Sequence, residues 1–223
     1  MKLLIFDSSS LINFVMSGIE ELLISLKNKF NGKFIITNAV KFETIDRPLN
    51  IKRFELGALK VKKLIDDKIL EYPESIGIGN KEIEAKQSEI LSQANISFLA
   101  RNEFMHIIDL GEASCLALSQ IAEKKGIKSY IIVDERTTRM LIESPENLRK
   151  LFENKLHTKV ILNNKLDLRN IMIIRSSELV YIAYKKGLVE LKNGNVLDAL
   201  LYATKFNGSS ISRNEIEEIK RVG

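Results

Sequence analysis

The sequence predicts an α/β fold with a mainly parallel sheet flanked by helices. Three observations carry that expectation. Short apolar runs alternate with helical patterns along the chain. The first run, Lys2 to Phe6, is almost continuously apolar, as in a strand buried on both faces. The 223 residues, 45% hydrophobic and 28% charged, have the length and composition of one ordinary globular domain.

After Lys2 to Phe6 and Asp7, the serines at 8, 9 and 10 supply cap chemistry for a helix carrying Leu11, Ile12, Phe14 and Val15. Ile19, Leu22, Leu23 and Leu26 continue at helical spacing. Lys33 to Ile36 reads as a second strand, and Thr37 caps a short helix carrying Val40 and Glu43. From about 47 to 106 the pattern changes. Leu56, Leu59, Leu64 and Ile65 suit a helix, Ile69 to Pro73 a short edge strand, Ser75 to Asn80 a loop, and Lys81 to Phe104 one or two helices. This stretch is expected to be a helical insertion into a single domain spanning 1–223. Asp109 opens a helix with Ala113, Leu116, Ala117 and Ile121, ended by Gly126, and Ser129 to Val133 forms a strand leading to Asp134. Arg139 to Phe152 is helical apart from a break at Pro145, beyond which lies a C-terminal extension. Thr158 to Leu162 and Ile171 to Ile174 are strand candidates. Ser177 to Lys186 and Asn195 to Phe206 are helices, and Ser212-Arg213-Asn214-Glu215 is a capping box for the last one.

Net charge is +5, and lysines alternate with acids around residues 60–68, so contact with a polyanion is permitted but not demanded. No apolar run reaches the roughly 18 residues of a membrane span, and the start of the chain does not suit a signal peptide. The lone Cys115 fits a reducing compartment, and the cytoplasm is the expected location. His106 and His157 lack metal-ligand spacing to each other or to Cys115, which argues against structural zinc. Glycine motifs for dinucleotide or nucleotide phosphates are missing.

Asp7 and Asp134 each stand directly after an apolar strand, at the edge where open parallel sheets place their ligands. Glu112, in the first turn of the helix before the Asp134 strand, crowds the same edge, and Glu43 follows the second strand. Converging carboxylates repel one another. A hard cation such as magnesium or manganese relieves that repulsion, and it can hold a phosphodiester and generate hydroxide from water. Ser9 is placed to orient a carboxylate or a metal-bound water. Each acid also has a plainer reading: Asp7 as a helix cap, Glu112 as partner of Asp109 in a capping pattern, Glu43 as an exposed helical residue, and Asp134 and Glu135 as acids of a helix's first turn.

Phe6-Asp7-Ser8-Ser9-Ser10-Leu11-Ile12 resembles the opening of PIN domains, and Thr37 to Glu43 resembles their second motif. Asp109-Leu110-Gly111-Glu112-Ala113 is similar to the Gly-Glu-Ala helix of one prokaryotic subgroup, and Ile131 to Arg136 with Arg139 to its next segment. The tail from Arg175 to Ser212 is also similar to that subgroup, especially its archaeal members. The resemblance implies a three-layer fold and an acidic pocket of Asp7, Glu43, Glu112 and Asp134 holding magnesium or manganese, with Glu135 as an extra ligand. It also implies hydrolysis of single-stranded RNA and a homodimer. Many members are toxins with an antitoxin partner, but the segments at 47–106 and after Pro145 exceed a minimal toxin. Asp198-Ala199-Leu200 resembles the Asp-Ala-Leu helix motif of other PIN domains, but by chain order Asp198 is expected on a helix surface. Arg136 and Arg139 are candidate phosphate contacts, with pairing of Arg139 to Glu143 as the alternative. A non-catalytic RNA-binding domain is the rival function. A metal-dependent phosphatase is weaker, because Ser8-Ser9 follows Asp7 where an Asp-x-Asp nucleophile is wanted.

Overall fold

Leu3 to Phe6 are all buried, and they form the centre of the molecule as β1 (Lys2–Phe6). A computed structural model describes residues 1–163, 166–168, 170–191 and 194–222. On one side β1 pairs in parallel with β2 (Lys33–Ile35), and on the other with β5 (Lys128–Ile132), which in turn pairs in parallel with β7 (Ile173–Ile174). The sheet order is therefore β2-β1-β5-β7. The chain leaves β1 in one direction and returns across it to β5, so the helices before and after that reversal fall on opposite faces. One face carries α1 (Ser8–Met16), α2 (Glu20–Lys29), α9 (Ser176–Lys185) and α10 (Val196–Phe206). The other carries α3 (Asn38–Lys41), α5 (Asn80–Asn95) and α6 (Leu110–Lys124). The result is a three-layer α/β arrangement, as the alternating pattern predicted.

The reversal places the carboxyl ends of β1 and β5 side by side. Their register sets Phe6 opposite Ile132, and the Asp7 amide donates to the Ile132 carbonyl at 3.0 Å. Ser10 fastens the same junction, its hydroxyl donating to the carbonyls of Asp7 and Ile132.

The stretch from 47 to 106 differs from a purely helical insertion. α4 (Glu55–Asp66) and α5 are helices, and Glu71 adds a single parallel bridge beside Ile35 before Pro73 starts a short helical turn. Residues 98–104, expected to be helical, instead form β3 (Phe98–Ala100) and β4 (Glu103–Phe104), joined through Arg101 and Asn102 in left-handed conformation. The reason is tertiary. β3 also pairs antiparallel with β6 (Val160–Leu162), so Phe98 and Ala100 bury on alternate positions of a second small sheet. Ala58 aside, the buried side chains of α4 and α5, such as Val61, Leu64, Ile83 and Ile90, belong to the main core cluster.

α7 (Arg136–Glu143) and α8 (Pro145–Leu156) are separated at Ser144-Pro145, as the proline requires. α11 (Arg213–Val222) is capped as predicted, the Ser212 amide donating to Glu215 and the Glu215 amide to the Ser212 hydroxyl. Asp198 faces outward and pairs with Lys220 at 2.7 Å. Among the described residues no single helix is long and apolar enough to cross a membrane.

Candidate active site

Asp7 caps α1 and remains chemically open. Its Oδ2 accepts from the Ser9 amide at 3.0 Å and the Ser9 hydroxyl at 2.6 Å, which meets the needs of a helix start. Its Oδ1 is buried and has no hydrogen-bond partner among the described residues. An unpaired buried carboxylate oxygen is costly. Burial, with Glu43 nearby adding repulsion against the relief given by Ser9 and Ser8, pushes the Asp7 carboxyl up to about 6.

Glu43 reaches the same edge from a single π-helical turn at Phe42–Asp46. Its Oε2 accepts from the Ser8 hydroxyl, and its Oε1 from the Gly111 amide at 3.0 Å. Gly111 stands in the first turn of α6, where free amides and the helix dipole favour an anion. A side chain there would collide: a Cβ at 111 falls 2.3 Å from Glu43 Oε2. Gly111→Ala is therefore expected to push Glu43 off the helix end and lower any activity of this site by at least about tenfold, the loss of roughly one charge-assisted hydrogen bond. Steady-state assays beside a melting curve check it, and an unchanged rate would show that Glu43 does not act from this position.

Glu112 fulfils its plainer reading, since its Oε2 accepts from the Asp109 amide at 2.6 Å across the start of α6. Its Oε1 accepts from the Thr138 hydroxyl on α7 at 2.7 Å. Burial, then the charge of Asp7, and more weakly that of Glu135, push it up to about 7. Glu135 caps α7 by accepting from the Thr138 amide at 2.8 Å. Asp7, Glu43, Glu112 and Glu135 thus share one electrostatic neighbourhood at the carboxyl edge of β1 and β5.

Asp134 is bonded differently from these four. It is fully buried, and its Oδ1 accepts from the Ser176 amide and the Ser209 hydroxyl, both at 2.9 Å. Its Oδ2 accepts from Asn13 Nδ2 at 2.9 Å, a group that also donates to the Thr204 carbonyl. This carboxylate ties α1, α9 and the segment after α10 together, while Glu135, one residue on, is half-buried and turned to the start of α7. Ser9 connects the two regions: its hydroxyl donates to Asp7 and accepts from the Asp134 amide at 3.1 Å. Ser9 thereby fixes the orientation of the Asp7 carboxylate.

Arg139 donates to the Ser210 carbonyl at 3.1 Å and has a long 3.9 Å contact with Glu143; Arg136 is exposed. Arg175 is bound to Glu178 and Glu215 and is structural. The residues that sequence reasoning missed are Ser8, Asn13, Gly111 as a close-approach position, Thr138, Ser176 and Ser209. Asn13 alone left a legible mark, a polar residue amid the buried face of an apolar helix.

Among the described residues no three of histidine, cysteine, aspartate and glutamate already close around a point where a metal ion would sit. The donor chemistry nevertheless fits a hard cation: oxygen ligands only, one buried oxygen unpaired, and two carboxyls driven upward by burial and by neighbouring acids. Glu43 and Glu112 each accept at both oxygens, and a carboxylate oxygen retains a second lone pair for a further partner. Comparison with protein-family models, curated proteins and solved structures returns no match.

Proposed function

We propose that the chain is a metal-dependent endoribonuclease of the PIN type, hydrolysing phosphodiester bonds of single-stranded RNA. The observation that supports this most is the unpaired, buried Oδ1 of Asp7 within a group of four carboxylates at the ligand-binding edge of a parallel sheet. Asp7, Glu43, Glu112 and Glu135 would hold magnesium or manganese, which when bound supplies Lewis acidity and an activated water for in-line attack. The chain's own contribution is placement. Ser9 holds Asp7 through Oδ2 and leaves Oδ1 unpaired, Ser8 and the Gly111 amide fix Glu43, and Asp109 with Thr138 fixes Glu112. Such preorganisation limits the rearrangement needed when substrate arrives.

A second reading, RNA binding without catalysis, draws on the same bonds, because Glu43 and Glu112 are already engaged by protein donors. The deciding experiment is cleavage of a labelled single-stranded RNA pool with manganese, with EDTA, and with the Asp7→Ala chain. Metal-dependent cutting that the substitution abolishes is expected. RNA binding without cutting would select the second reading, and hydrolysis of a small phosphate monoester but not RNA would select a phosphatase.

A further inference from the structure

Along α7, Arg136, Arg139 and Met140 share one face at the three- and four-residue spacing that brings helix side chains together. Facing them is the segment 209–212, and with Lys205 and Glu215 these residues enclose a cavity of about 560 Å³. Its charges are unevenly matched. Arg175 is bonded to Glu178 at 2.8 Å and Glu215 at 2.5 Å, so Glu215 is already neutralised. The one ion pair of Arg139 among the described residues is the 3.9 Å contact with Glu143, although its side chain is only 15% exposed. Arg139 and Arg175 also donate to the same Ser210 carbonyl, at 3.1 and 3.4 Å. Two guanidinium groups converging on one oxygen repel each other in a poorly solvated place. Burial, and Arg175 next to it, pull Arg139 below the usual arginine range. Lys205 donates to the Ile211 carbonyl, a neutral partner. Arg136 makes no ion pair or hydrogen bond among the described residues. The pocket therefore carries more positive charge than its surroundings balance, and Ser210 and Ser212 are among the residues that line it.

The pocket is also connected to the acidic group. α7 starts directly after Glu135, and Thr138 on its first turn donates to Glu112. On the other wall, Ser209 donates to Asp134. An anionic strand would be repelled by four carboxylates unless a neighbouring part of it were held by cations.

We infer that this pocket binds a backbone phosphate of the RNA adjacent to the one that is cut. Guanidinium forks and hydroxyls are the donors suited to a phosphodiester's oxygens, and contacts of this kind set position without reading sequence. The inference rests on the nuclease reading of the acidic group, but its test does not require cleavage. Binding of labelled single-stranded RNA is measured over a salt series with the Asp7→Asn chain, in which the cap of α1 is expected to survive and turnover to be lost. Adding Arg136→Ala should weaken binding roughly fivefold at moderate salt, equally for different sequences, and lower the salt slope by about 0.7, the value of one phosphate contact on a single strand. Arg136→Glu should weaken it further. Lys2→Ala, the same charge change at the opposite edge of the sheet, should have no effect. Arg136 is exposed and unpartnered, so a melting curve equal to the parent's is expected. If Arg136→Ala binds RNA with the parent's affinity and slope, the pocket assignment is overturned, even where the wild-type chain cuts RNA. Arg136-dependent binding by a wild-type chain that never cuts would uphold the pocket and overturn the nuclease reading.

Discussion

Asp7→Asn is expected to melt at a higher temperature than the wild-type protein in EDTA, and to have no cleavage activity. The stabilisation follows from the pKa. Unfolded, the Asp7 carboxyl titrates near 3.8, and folded near 6 because of burial. Below pH 3.8 both states hold the proton and folding carries no electrostatic cost. As pH rises toward 6 the unfolded chain releases its proton first, so stability falls across that window and the full cost is present above it. The difference corresponds to about 3 kcal/mol at pH 7.5. Glu112 acts in the same direction between 4.5 and about 7, and because it interacts with Asp7 the two costs do not simply add. Asparagine removes the charge and keeps an acceptor for the Ser9 amide and hydroxyl, so the cap of α1 survives. Its new amide hydrogens facing the place of Oδ1 return roughly 1–2 kcal/mol of that gain. A net gain of about 1–2 kcal/mol should raise the melting temperature by roughly 3–6 °C in a chain of this size. The gain should be largest at pH 7.5 and shrink toward pH 5. Adding manganese should stabilise the wild type and leave Asp7→Asn unmoved. If Asp7→Asn melts below the wild type at both pH values, Asp7 is a structural cap and not the centre of an ion-binding site.

Much of this arrangement is legible in the sequence because its determinants are local. The apolar run before Asp7, the Thr37 cap and the Asp109–Glu112 bond each lie within a few residues, and a parallel sheet brings strand ends to one edge without further information. What stays hidden depends on distant partners. The strand character of 98–104 comes from β6, some sixty residues later. Asp134 and Glu135 are both acidic and both follow β5, and nothing local says which one turns inward. That choice is made by Asn13, Ser176 and Ser209, which lie 121, 42 and 75 residues away. Gly111 looks like a helix residue of low propensity until Glu43 is seen against it.

At Asp134 the opposite sign is expected. Asp134→Asn should lower the melting temperature on the order of 10 °C, with or without metal. The aspartate presents acceptors to Ser176, Ser209 and Asn13, all of which are donors here. Asparagine has one oxygen for the three of them. With that oxygen kept toward Ser176 and Ser209, its Nδ2 meets Asn13 Nδ2. Asn13 cannot relieve the clash by turning over, because its Nδ2 also serves the Thr204 carbonyl and its Oδ1 accepts from Ser17. At least one buried donor is stranded in a fully enclosed place, and the loss of a charged acceptor is worth about 2–4 kcal/mol. Well below its melting temperature this variant should retain measurable metal-dependent cleavage. Glu135→Gln should show the reverse, with a normal melting curve, since glutamine still caps α7 at Thr138, and cleavage lost. A principal metal ligand at Asp134, the expectation from sequence, requires the other outcome: Asp134→Asn inert but as stable as the wild type, and Glu135→Gln active. Side-by-side melts and cleavage assays on the two variants therefore assign which of these neighbouring acids faces the substrate and which holds the helices around it.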